Sequence, residues 1–108
     1  MTEYLFIESR SPAESSQLAQ SHALAADLAS GGDKVTIYLV QNAVLAARRG
    51  ATAGGLDVAL RAGAEVLADD FSLRERGIAP DALGAHIAPA PLETVIDRLV
   101  RGAKAVWN

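Results

Sequence analysis

The chain contains no cysteine. That excludes disulfides, thiolate metal ligation and cysteine nucleophiles together, so thiol chemistry has no residue on which to run. Aromatic residues are scarce, at 5% of the 108 residues, which leaves core filling to aliphatic side chains and lets alanine-rich helices pack close to their neighbours. No apolar run reaches the roughly 18 residues of a membrane span. The opening MTEYLFIESR lacks the basic start of a secretory signal, so a cytoplasmic setting without a membrane partner is expected. Bases are not in excess: 10 Lys and Arg against 13 Asp and Glu give a net charge of −3, interspersed along the chain. With no basic face for a phosphate backbone, no nucleic-acid partner is expected. Neither G-x-G-x-x-G nor G-x-x-x-x-G-K-[ST] follows the first strand, and there is no G-x-S-x-G elbow. Dinucleotide, nucleoside-triphosphate and serine-hydrolase chemistry therefore lack support, and no cofactor is expected.

What the chain does have is a hydrophobic fraction of 50% with 21% charged residues, the composition of one folded domain over residues 1–108. Its apolar stretches alternate between two periods. YLFIE, KVTIYLV, AEVLA, AHIA closed by Pro89, and KAVWN read as five strands, short and β-branched or apolar. Between them lie helical segments. Ser11, Pro12 and Glu14 form a capping box that opens a helix stopped by Gly31 and Gly32. Asn42 is placed to cap AVLAARR before Gly50. LDVALRA makes about two turns up to Gly63. Ser72 and Glu75 repeat the S-x-x-E spacing before Gly77, and Pro80 to Leu83 suits one further turn. Pro91 then opens a helix with Leu92, Val95, Ile96 and Leu99 on one stripe, ended by Gly102. Strands alternating with helices imply β-α-β units, hence a three-layer α/β/α sandwich around a mostly parallel five-stranded sheet.

Ligands of such sheets bind outside the carboxyl ends of the strands. The loops there are Ser9-Arg10-Ser11, Gln41-Asn42, Asp69 to Ser72, and Pro89-Ala90. The candidate ligand-binding residues are accordingly Arg10, Gln41, Asn42, Asp69 and Asp70. Two readings of the aspartates stand side by side. They form a carboxylate pair for a hard cation or for acid–base work; or one caps the turn while the other pairs with Arg74 or Arg76. Consecutive residues leaving a strand point in opposite directions, which weighs against convergence of the two carboxylates. His22 on the first helix and His86 in the fourth strand each lack a nearby ligand-type partner, so no metal site and no catalytic residue are assigned. Trp107 and Tyr38 read as sheet-end packing residues, with Trp107 suited to a subunit contact where exposed.

The order of these stretches resembles the DsrE/DsrF-like family of small α/β proteins, which includes sulfur-relay subunits and YchN-like proteins. The resemblance spans nearly the whole chain. It rests on the opening strand and capped helix, VTIYLVQNAVLAARRGA, GAEVLADDFSLRERGI, and the closing helix and strand ending in AVWN. In sulfur-carrying members a cysteine at the end of the third strand accepts a persulfide. Counting back from Arg76 and Gly77, that position falls at or next to Asp69, and a carboxylate cannot carry sulfane sulfur. The resemblance thus implies a cysteine-free, non-catalytic binding or assembly subunit. It also implies a homo-oligomer, trimeric or hexameric, or a hetero-oligomer with related subunits.

Overall fold

The computed structural model describes residues 1–11, 17–52 and 55–107. Five strands, β1 (Glu3–Glu8), β2 (Lys34–Leu39), β3 (Glu65–Asp69), β4 (Ile87–Ala90) and β5 (Lys104–Trp107), pair in parallel in the order β4-β3-β2-β1-β5. The helices are α1 (Leu18–Ser30), α2 (Leu56–Arg61), α3 (Asp70–Glu75) and α4 (Leu92–Val100), with 3-10 segments at Gln41–Ala47 and Pro80–Ala82. The expected three-layer α/β/α sandwich is observed.

Strand alternation divides the core in two. Phe6, Ile37, Leu39, Val66 and Ala68 face α1, α2, α3 and the longer 3-10 segment, where Ala25, Val44, Leu56, Ala59 and Leu73 pack against them. Leu5, Ile7, Tyr38, Leu67 and Ala90 face the other way and meet Val95 of α4. Right-handed crossovers account for this division. Chain moving from β1 through β4 steps in one direction across the sheet, which keeps its connections on one face. The β4-to-β5 connection runs back past β3, β2 and β1, so its helix lands on the opposite face.

Several local expectations are corrected. The segment after β2 is a 3-10 helix starting at Gln41, not an α-helix capped by Asn42; Gln41 takes a left-handed φ of 53° and Asn42 lies within the segment. The fourth strand begins at Ile87 and contains Pro89. Proline is tolerated there because β4 is an edge strand, with no ladder partner on its outer side. His86 is not in that strand but in the turn before it, at φ 66°. Ser72 does not cap α3, since Asp69 does. Ser11 is buried, while Pro12 and Glu14 of the expected capping box lie outside the described residues. On α4 only Val95 of the apolar stripe is buried; Leu92, Ile96 and Leu99 stay 56%, 52% and 43% exposed.

Candidate functional site at the carboxyl edge

Connections leaving β3 and β4 diverge to opposite faces, which opens a crevice at the carboxyl edge between them. The structure has a pocket of about 350 Å³ there, lined by Val40, Gln41, Asp69, Phe71, Ser72, Glu75 and Leu92. Its floor is a connected set of hydrogen bonds. Asp69, 8% exposed, ends β3 and accepts from the Tyr38 hydroxyl at 2.8 Å on one oxygen. Its other oxygen accepts the Ser72 backbone N–H at 2.9 Å and the Ser72 hydroxyl at 2.6 Å. Ser72 Oγ in turn accepts the Gln41 backbone N–H at 2.9 Å. The Tyr38 hydroxyl also lies 3.1 Å from the Ala90 carbonyl, the last residue of β4. One aspartate thus caps α3 and ties the ends of β2, β3 and β4 together.

That arrangement restricts what Asp69 does chemically. A carboxylate offers about four acceptor positions, and three are occupied here. The Tyr38 phenol is held protonated: burial raises its pKa first, the hydrogen bond to Asp69 and that carboxylate's charge add to it, and Asp70 and Glu93 push the same way. Asp70 turns away from Asp69 and pairs with Arg74 at 3.8 Å on the exposed side of α3. The cap-and-pair alternative for the two aspartates is therefore what the structure contains. Of the other candidates, Gln41 lines the pocket beside Asp69. Asn42 is engaged by Arg76, whose Nε and Nη2 donate to its Oδ1 at 3.2 and 3.0 Å. Arg10 is exposed after β1 and does not line the pocket. Among the described residues no group of three or more metal-ligating side chains occurs.

Tyr38 was assigned to packing by the sequence argument, and its role as donor to Asp69 was missed. A signal existed: β2 alternation sends Tyr38 to the face opposite Ile37 and Leu39, opposite Leu67 on β3 and so on the same face as Asp69 two residues further along. A second polar pair was missed altogether. Glu8 and His22, 1% and 2% exposed, meet at 2.8 Å between Oε1 and Nε2. Among the described residues Glu8 Oε2 and His22 Nδ1 have no hydrogen-bond partner. Glu8 shares the face of Phe6 by strand alternation, and His22 lies four residues after Leu18 and three before Ala25 on the buried side of α1. Gly55, at φ +135°, closes over the ring: a Cβ there would stand 2.6 Å from His22 Nδ1.

Comparison with known proteins bears on the fold. No family model matches the chain, and no curated protein matches it. Among solved structures, YchN from E. coli matches with a TM-score of 0.88 at 19% identity over 100% of both chains. The protein of unknown function MTH1491 from Methanobacterium thermoautotrophicum matches at 0.86 and 14% identity, again over 100% of both. The conserved protein of unknown function BT1422 from Bacteroides thetaiotaomicron matches at 0.74 and 16% identity, covering 98% of this chain and 95% of its own. At these identities the likeness is one of fold: the chain shares the architecture of YchN and MTH1491.

Proposed function

We propose that the chain is a cytoplasmic DsrE/DsrF-like binding or assembly subunit that acts as an oligomer and does not itself carry sulfur. The observation that carries this reading is the apolar surface left open on the α4 side of the sheet. Leu92, Ile96, Leu99 and Val100 of α4 stand exposed, and so does Trp107, at 68%. Val106 packs toward α1 and its neighbours, so alternation puts Trp107 on the same face as α4. Several large apolar side chains left exposed on one face of a small protein point to a contact surface. The state of Asp69 supports the non-catalytic half of the proposal, since it stands at the third-strand position and is committed to capping α3. Sedimentation velocity tests the reading. The expected result is a trimer or hexamer, alone or with a related subunit; a monomer up to about 100 μM that captures no related subunit would overturn it.

A second reading follows from the pocket itself, as a site for a small cation or a cationic metabolite. Asp69 and Glu75 give it negative charge and Val40, Phe71 and Leu92 give it an apolar wall, the mixture found in small-ligand sites. Thermal-shift titration with divalent cations and with alkylamines, on wild type and Glu75→Gln, tests it. Flat and identical responses in both proteins would eliminate it.

A further inference from the structure

We propose that the amino edge of the sheet, at the opposite end of the strands from the pocket above, binds a small phosphomonoester between Arg61 and His86. Arg61 ends α2, two residues before Gly63 turns the chain toward β3, and His86 immediately precedes β4. Because β3 and β4 pair in parallel with Val66 opposite Ile87, these two connections come side by side. They border an open cleft of about 460 Å³ lined by Leu60, Arg61, Gly63, Ala64 and His86, with Arg61 and His86 exposed to solvent.

Three observations make this cleft a site. The first is that Arg61 has no acceptor among the described residues. Arg48, Arg49, Arg74, Arg76, Arg98 and Arg101 each donate to or pair with a group of the protein; among the described residues Arg61, like Arg10 at the other edge, does neither, and His86 has no partner there either. The carbonyls at the end of α2 are already used, since Val58, Leu60 and Ala59 accept from Ala62, Gly63 and Ala64 at 3.1, 3.1 and 3.0 Å. The second is strain at His86. Ile87 N–H closes onto Gly84 O at 3.2 Å, so His86 occupies the third position of a four-residue turn at φ 66°, where glycine would sit without cost. A side chain kept in that backbone conformation points to a role for the side chain. The third is charge: among the described residues no carboxylate lines the cleft.

The ligand class follows from the donors. A guanidinium fork matches two phosphate oxygens and an imidazole N–H supplies a third contact. The cleft exceeds a bare phosphate, and Leu60 and Ala64 offer the remaining space to an organic group. Phenyl phosphate titrated into the isotope-labelled full chain tests the proposal, with backbone amide shifts as readout. Saturable shifts are expected at Gly63, Ala64, His86 and Ile87, with inorganic phosphate and benzoate both weaker. Arg61→Gln and His86→Gly are each expected to weaken phenyl phosphate about tenfold. His86→Gly relieves the turn, so its thermal midpoint should not fall, which separates lost binding from lost folding. The proposal is overturned by unsaturated shifts up to ~10 mM, by benzoate binding as tightly as phenyl phosphate, or by both variants binding like wild type.

Discussion

At the scale of single residues, Asp69 and the Glu8–His22 pair are buried polar groups on which a local energy balance turns. Asp69 accepts three hydrogen bonds. Asp69→Ala removes the α3 cap and leaves the Ser72 hydroxyl and amide without an acceptor, while Tyr38 keeps Ala90 O within reach. The expected cost is about 2 kcal/mol in urea unfolding, the sum of one cap and one buried hydrogen bond. Tyr38 adds a pH signature. Its pKa is raised by burial, then by the Asp69 hydrogen bond and the surrounding acids. The unfolded phenol ionises near pH 10 while the folded one stays protonated, so its contribution is complete below pH ~10 and lost as pH rises beyond. Urea midpoints between pH 9 and 11 should fall for wild type, and Tyr38→Phe should flatten that part of the decline. For Glu8 and His22 the outcome is asymmetric. His22→Ala leaves the buried Glu8 carboxyl without its His22 partner and opens a cavity, and should cost about 3–5 kcal/mol, whereas replacing both, Glu8→Met with His22→Leu, should recover most of it. Urea unfolding of wild type, His22→Ala and the double variant measures the difference.

At the scale of elements, α4 shows what periodicity conveys and what it leaves out. The spacing of Leu92, Val95, Ile96 and Leu99 gave the helix and its limits, yet only Val95 reaches the core. Hydrophobic period reports that a face is to be covered, not by which chain. Polar ties hold the helix instead: Arg98 donates to Thr36 Oγ1 at 2.8 Å and Glu65 at 2.7 Å, and Arg101 to Glu3 at 2.8 Å. These partners lie more than thirty residues apart in sequence, so no local pattern announces them. Burial alone would raise the Glu65 pKa, but the Arg98 hydrogen bond and charge, aided by Thr36 and Lys34, outweigh it and hold the carboxyl below its usual value. A depressed folded pKa contributes stability above the unfolded value of about 4.3 that is lost as pH falls through the folded one. Acid unfolding should accordingly show a smaller loss between pH 5 and 3 in Glu65→Gln than in wild type, with Arg98→Met behaving the same way. The same limit on local information explains α3. The S-x-x-E pattern located a short helix correctly but gave its cap to Ser72, because choosing Asp69 depends on Tyr38 of β2 and on Gln41 of the 3-10 segment after it.

At the scale of the whole molecule, strand order was legible only as alternation. That β5 lies beyond β1, and hence that α4 is the one helix on its face among the described residues, comes from how the last crossover returns. This one fact joins the two proposed features of the carboxyl edge. Leu92 belongs both to the open stripe of α4 and to the wall of the pocket that contains Asp69. A subunit packing on α4 would therefore close that pocket on one side. Ile96→Asp with Leu99→Asp puts two charges on the exposed stripe without touching Val95, so each folded subunit should keep its far-ultraviolet circular dichroism. Sedimentation velocity should then show the assembly reduced to monomer, because burying an unpaired carboxylate at an interface costs several kcal/mol per copy. Trp107 fluorescence supplies an independent reading: burial by a neighbouring subunit predicts an emission maximum that shifts to longer wavelength in the double variant. An oligomer that persists with unchanged Trp107 emission would move the interface off α4, and with it the idea that a second subunit completes the pocket.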